Sequence, residues 1–201
     1  MKKVVFSQRV DIIESYKERR DSADQQISSY LFACGFLPFP LPNNKEIAIG
    51  IIDAVKPDGI VFTGGNSLVK YGGNAPERDE METAVLESAI RENIPVFGFC
   101  RGAQVILDFF GEKLEEIKGH VAQRHFVHGS FGKFIVNSYH NQACKNIVSD
   151  ELEVLLECDD GVVEMIKHKN YPIIATMWHP ERENPFKMED MRIIKELFEE
   201  R

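Results

Sequence analysis

Short apolar runs alternate with stretches in which apolar residues recur every three or four positions, and this rhythm organises the first half of the 201-residue chain. Lys3 to Phe6 is too short for a helix and suits a first, buried strand. Ser22 to Cys34 places Ala23, Ile27, Tyr30, Leu31 and Cys34 at helical spacing, and Gly35 follows as a stop signal. A strand is predicted over Phe36 to Leu41, a helix over Ile47 to Val55 and a strand over Gly59 to Thr63. Glu80 to Glu92 reads as a helix, Pro95 to Phe99 as a strand, and Gly102 to Phe110 as a helix stopped by Gly111. Strands alternating with helices imply βαβ units and an α/β fold with a mostly parallel central sheet.

The second half has a different rhythm. Phe131 to Asn137, Leu152 to Cys158, Val162 to Lys167 and Ile173 to Trp178 are strand-like, with little helix between them. Asp159-Asp160-Gly161 is a hairpin signal joining two of these runs. Met188 to Glu199 closes the chain as an amphipathic helix. Ile117 to Ser130 is the least regular stretch and carries His120, Arg124, His125 and His128.

Composition narrows this picture. The length predicts one domain over 1–201, large enough to bury a core without staples. A net charge of −8 argues against nucleic acid or an anionic membrane surface as partner. No apolar run reaches the roughly 20 residues of a membrane helix, and the opening apolar run ends too soon for a signal peptide. Cys34, Cys100, Cys144 and Cys158 are far apart, with no CxxC, so spacing indicates neither a metal site nor a disulfide framework. A reduced, cytoplasmic setting is expected, and self-association into a homo-oligomer is left open.

Two short motifs carry chemistry. Gly98-Phe99-Cys100-Arg101-Gly102 lies between a predicted strand and helix. Small residues two positions either side allow a tight turn that lifts the central side chain over the sheet edge. Amide groups at the helix start favour a thiolate there, and the Arg101 amide is placed to face a developing oxyanion. Cys34, Cys144 and Cys158 lack this setting and read as structural. The second motif, His179-Pro180-Glu181, ends an apolar run. On extended backbone, residues two apart project to one side, so Glu181 can hold one nitrogen of His179 while the other faces a thiol. A strand-end histidine beside an exposed glutamate is the simpler alternative for that motif alone.

GFCRGAQ, TGGNSL, VNSYHNQ and MWHPE, in this order and spacing, resemble class I glutamine amidotransferase domains, nearest to their free-standing γ-glutamyl hydrolase branch. The resemblance covers almost the whole chain. It implies a flavodoxin-like α/β fold, a triad of Cys100, His179 and Glu181, and no metal or organic cofactor. It further implies that Gly65 and Arg101 supply the oxyanion-hole amides and that Gln104 contacts the glutamyl moiety. Ser138, Tyr139 and His140 match the segment that recognises the amino-acid end. His140-Asn141 stands where that branch usually has two adjacent histidines, and the stretch from Gly111 to Asn137, which normally shapes the leaving-group side, is compact. Arg101 after the nucleophile is similar to the free-standing hydrolases rather than to domains that feed ammonia to a synthetase.

The segment Ser7 to Arg20 is predicted to be a loop beyond the end of the first strand, where open α/β sheets bind ligands. Its basic residues Arg9, Lys17, Arg19 and Arg20 suit a phosphorylated, nucleotide-linked leaving group, with Arg9 nearest the strand; the alternative there is a solvated helix start. Three readings of the whole remain at this point. One is a hydrolase of a small-molecule γ-glutamyl amide. Another is a glutaminase subunit passing ammonia to a separate synthetase. The last is a non-enzymatic binding or regulatory protein on the same fold, against which the intact Cys100, His179 and Glu181 count.

Overall fold

The computed structural model describes residues 1–199. Strand β1 (Lys2–Phe6) is followed by β2 (Arg9–Ile13), β3 (Glu18–Ser22), α1 (Gln25–Ala33), β4 (Phe36–Pro40), α2 (Lys45–Val55) and β5 (Gly59–Phe62). Helix α3 (Pro76–Glu92), β6 (Val96–Phe99) and α4 (Arg101–Phe109) complete the first half. The second half runs β7 (Glu115–Glu116), β8 (Val121–Gly129), β9 (Gly132–Tyr139), β10 (Gln142–Ala143), β11 (Leu152–Cys158), β12 (Val163–His168), β13 (Ile173–Thr176) and α5 (Met188–Glu199).

A nine-stranded sheet in the order β4-β1-β5-β6-β13-β12-β11-β8-β9 forms the centre. From β4 to β13 every pairing is parallel, and from β13 to β9 every pairing is antiparallel. The parallel half is the expected α/β architecture. Helices on its faces keep its strands buried, which is why β5 and β6 are apolar without alternation. Among the described residues no helix is long and apolar enough to cross a membrane.

Local chemistry sets the helix ends. Asp24 accepts the Gln26 amide at 2.9 Å to open α1, and Asn44 accepts the Ile47 amide at 3.0 Å to open α2. Helix α3 begins four residues before the apolar pattern does, because Pro76 at its first position carries the fixed φ that starts a helix and needs no amide partner.

Two stretches depart from the sequence expectation. Ser7 to Arg20 is not a loop: β2 and β3 form a separate antiparallel hairpin in register from Arg9↔Ser22 to Ile13↔Glu18. Most of its residues are polar and partly exposed, so it carries no apolar alternation to reveal it. Asn66 docks it on the main sheet, accepting from the Val10 amide at 2.8 Å and donating to the Val10 carbonyl at 3.0 Å. The stretch expected to be irregular, Ile117 to Ser130, contains β8, which pairs with β9 over most of its length. Only Val127 of β8 is fully buried, so this strand too lacks an apolar face to read.

Candidate active site

The site forms at the carboxyl ends of β5, β6 and β13, neighbours in the parallel half. Beyond β6, Cys100 occupies φ 52°, ψ −108°, a conformation that L-residues rarely adopt and that turns the chain directly into α4. The flanking glycines are sterically required. A Cβ on Gly102 would lie 2.0 Å from the Phe62 carbonyl oxygen, and one on Gly98 2.7 Å from the Gly102 carbonyl oxygen. The Cys100 amide still donates to Thr176 of β13 at 2.8 Å, so the nucleophile is anchored to the strand that carries the histidine.

His179 follows the end of β13. Its Nδ1 is 2.7 Å from Glu181 Oε1, and both side chains are buried. Its ring packs between Phe99 and Tyr139, with centroids 5.6 Å away in each case. Burial disfavours a charged ring, but the Cys100 sulfur and the Glu181 carboxylate outweigh it and push His179 up to about 9. Asn137 fixes the backbone: it accepts the His179 amide at 2.9 Å and donates to the His179 carbonyl at 2.8 Å.

Beyond β5, the loop Thr63–Asn66 approaches the histidine so closely that a Cβ on Gly64 would lie 2.7 Å from His179 Cε1. Gly65 has φ +85°. The fully buried Arg78 guanidinium gathers the carbonyls of this loop, donating to Thr63 at 2.7 Å, Gly64 at 3.1 Å and Gly65 at 2.6 Å. A trans peptide points its N–H opposite its carbonyl, so holding the Gly64 oxygen turns the Gly65 amide away from Arg78. Arg78 Nε in turn pairs with Glu82 at 3.0 Å, and Glu82 also pairs with Arg101. Burial lowers Arg78 to about 9, and burial with the neighbouring Arg78 charge brings Arg101 well below the usual guanidinium range.

The other sequence candidates divide. Gln104, Tyr139 and His140 line a cavity of about 220 Å³ with Cys100, His179 and Gly65. Gln104 Nε2 donates to the Gln142 carbonyl at 2.9 Å, leaving its oxygen free of that bond. Ser138 is fully buried and donates to the His120 carbonyl at 2.6 Å, so its hydroxyl faces away from that cavity. The Arg101 side chain also turns inward, to Glu82 and Asp79, leaving its backbone as the part nearest the nucleophile. Arg9 sits on β2 rather than in a loop and borders a second cavity of about 290 Å³, shared by Gly65, His179, Glu181 and Arg182. It is half-exposed and ion-paired with Asp11 at 2.7 Å. Of the other basic residues of this hairpin, Arg19 pairs with Glu77 at 2.5 Å and Arg20 with Glu18 at 2.9 Å.

Three residues of the site were missed by sequence reasoning. Arg78 and Asn137 act through long-range hydrogen bonds that no local pattern announces. Arg182 was legible as the residue after HPE; it borders both cavities, with its guanidinium 4.4 Å from the Tyr139 ring centre.

Comparison with known proteins agrees with this geometry. The family model described as glutamine amidotransferase class I matches residues 12–199. A γ-glutamyl-CDP-amidate hydrolase of Campylobacter jejuni is 35% identical over 200 residues, covering 96% of each chain. A γ-glutamyl-γ-aminobutyrate hydrolase of Escherichia coli is 29% identical over 188 residues, covering 73% of each chain. A crystal structure of a GMP synthase component from Thermoplasma acidophilum superposes with a TM-score of 0.73 at 22% identity, covering 99% of this chain and 94% of that one. That last likeness concerns the fold alone.

Proposed function

The chain belongs to the glutamine amidotransferase class I family, and we propose that it acts there as a cysteine hydrolase that cleaves a γ-glutamyl amide and releases glutamate. The observation that carries this reading is the meeting of Cys100 on its strained turn with the buried His179–Glu181 pair, across a loop whose Gly65 amide is turned by Arg78. In this reading the Cys100 thiolate attacks the γ-carbonyl carbon. The Gly65 and Arg101 amides receive the oxyanion. His179, charged in the resting pair, gives its proton to the departing nitrogen, and the carbon–nitrogen bond breaks to leave a thioester on Cys100. Water then enters, His179 takes its proton, and the thioester breaks to free glutamate and restore the thiolate. Gln104, Tyr139 and His140 line the cavity that takes the glutamyl end.

The finer part of the proposal concerns the leaving group. The second cavity lies on the His179 side, where the departing nitrogen must be to receive its proton, and both Arg9 and Arg182 border it. Two guanidinium groups suit phosphate oxygens. The relative from Campylobacter jejuni is named for a nucleotide-linked amide of this kind, and we assign γ-glutamyl-CDP-amidate as the substrate, in the biosynthesis of capsular phosphoramidate. Cutting between carbonyl carbon and nitrogen leaves the nitrogen on phosphorus.

A panel of γ-glutamyl amides assayed for glutamate release tests both parts. The expected ranking puts the nucleotide-linked amide above γ-glutamyl-γ-aminobutyrate and plain glutamine in kcat/KM. Arg182→Ala, and to a smaller degree the Asp11-paired Arg9→Ala, should raise KM for the nucleotide-linked amide by about tenfold or more, as for loss of a charge-assisted contact. Hydrolysis of plain glutamine should barely change. Equal losses on both substrates would remove the nucleotide assignment, and full turnover by Cys100→Ala would remove the mechanism.

A further inference from the structure

Behind the wall of the glutamyl cavity lies a cluster that the proposed reaction does not use. His120 just before β8, His125 on β8, Cys158 at the end of β11 and Glu164 on β12 bring one donor atom each to within 4.8 Å of one another. Glu164 Oε1 is 3.4 Å from His120 Nδ1, 3.3 Å from His125 Nε2 and 3.4 Å from Cys158 Sγ. His120, Cys158 and Glu164 are at most 5% exposed. His140, whose Nε2 is also 3.3 Å from Glu164 Oε1, stands between this cluster and the cavity of Cys100.

Hydrogen bonding does not account for the arrangement. His120 Nδ1, His125 Nε2, both ring nitrogens of His140 and Glu164 Oε2 are buried and make no hydrogen bond of acceptable geometry. Buried polar groups seldom stay so. One carboxylate oxygen with three imidazole nitrogens and a sulfur around it is a poor way to satisfy them, since it has only two lone pairs. The spacing fits a different purpose. Metal–ligand bonds of about 2.0–2.3 Å at tetrahedral angles hold neighbouring ligand atoms about 3.3–3.7 Å apart, and the separations here are 3.3 and 3.4 Å.

We propose that His120 Nδ1, His125 Nε2, Cys158 Sγ and one Glu164 oxygen bind a single divalent transition-metal ion of the zinc class. Two imidazoles, a thiolate and a carboxylate form a borderline-soft set that selects zinc-like ions over magnesium or calcium. The thiolate and the carboxylate together balance a dication, and binding releases the Cys158 proton to solvent. His120 is already oriented for ligation. Its Nε2 faces Asp160 Oδ2 at 3.0 Å, which assigns the proton to that nitrogen and leaves Nδ1 as a lone pair toward the cluster, the pattern by which a carboxylate positions a metal-bound histidine.

Four protein donors complete a tetrahedral set, so the ion is structural and takes no part in amide cleavage. Its effect on the site is mechanical. The His120 carbonyl accepts from both Ser138 Oγ at 2.6 Å and the His140 amide at 3.2 Å. Fixing His120 therefore fixes the segment from Ser138 to His140, which forms one wall of the nucleophile's cavity.

The test is metal analysis of the purified full-length chain, followed by cobalt substitution. About one zinc per chain should survive dialysis against a weak chelator. After exchange, cobalt(II) should give the intense visible bands of a tetrahedral site and a thiolate-to-cobalt charge-transfer band in the near ultraviolet. Cys158→Ser should abolish the charge-transfer band, whereas Cys144→Ser should keep it. His120→Asn and His125→Asn should each weaken zinc binding by about tenfold or more. Protein that takes up neither zinc nor cobalt overturns the site. So does a cobalt spectrum unchanged by Cys158→Ser, and so does zinc whose affinity neither histidine variant alters. The wild-type and Cys144→Ser spectra decide the matter even where a ligand variant fails to fold. None of these readouts depends on which amide the enzyme cleaves.

Discussion

Arg78 Nη1 donates to the Gly64 carbonyl at 3.1 Å, and by the geometry of the trans peptide this bond sets the direction of the Gly65 amide. Arg78 touches no reacting atom in the proposed mechanism; it is a positioning residue. Arg78→Met should lower kcat by about 10²–10³-fold, the usual loss when one oxyanion donor is misplaced, with KM little changed. Arg78→Lys should restore part of that loss, because an ammonium reaches fewer of the three carbonyls. Steady-state kinetics on a variant whose circular dichroism matches wild type is the check. A rise in KM with kcat intact would mean the loop serves binding instead.

Activity should depend on pH through His179. The ring is pushed up to about 9 against its burial by Cys100 and Glu181, so kcat/KM should fall as pH rises through that value and the proton needed by the leaving nitrogen is lost. The same pair stabilises the fold fully below the unfolded histidine value of about 6.5, and that contribution is lost as pH rises through about 9. Glu181→Gln should move the ring titration downward, read by NMR of the imidazole, and lower kcat by about 10²–10⁴-fold. An unmoved titration would show that Glu181 does not hold the ring.

Glycine substitutions should split by sign. Gly102→Ala forces a Cβ to 2.0 Å from a backbone oxygen and should destabilise the protein by about 3 kcal/mol or more. Gly50→Ala lies within α2, where nothing is within 4 Å of the added methyl, and should stabilise it by up to about 1 kcal/mol. Urea denaturation measures both. Equal effects of the two would mean that the Phe62–Gly102 approach is looser than described.

Asp190 accepts the Trp178 indole N–H at 2.9 Å, yet burial pushes its carboxyl up to about 6. The folded state thus keeps a proton that the unfolded chain surrenders near pH 4. Stability from this group is full below about pH 4 and is lost as pH rises through about 6. Asp190→Asn keeps an acceptor for Trp178 and removes the buried charge. It should raise stability at pH 8 by about 2–3 kcal/mol and change it little at pH 4. Calorimetry at the two pH values would show equal shifts if burial were not the cause.

The parallel half of the fold and the triad were legible in the chain because their signals are local. Buried parallel strands are continuous apolar runs, their helices carry caps, and a cysteine on a tight strand-to-helix turn needs Gly98 and Gly102 beside it. The His179–Glu181 contact was legible because two residues on one short segment share a side. The fold around β8 and the β2–β3 hairpin was not legible. Those strands bury little, and their pairing is decided by partners distant in sequence, such as Asn66 for Val10.

What the sequence alone determined is therefore the chemistry at the reacting atoms: a thiol, an imidazole and a carboxylate, each marked by neighbours within a few residues. Tertiary structure decided what surrounds them. It turned the Arg101 side chain inward to Glu82 and the Ser138 hydroxyl to His120, and it set Arg78 behind Gly64, Asn137 behind His179, and Arg182 beside Arg9. It also drew His120, His125, Cys158 and Glu164 from three strands and a preceding turn to one point. The physical reason is the same throughout. A residue type and its near neighbours fix which bonds a side chain is able to make, but a buried polar group bonds whatever the packed sheet brings within about 3 Å, and that is set by contacts across many tens of residues.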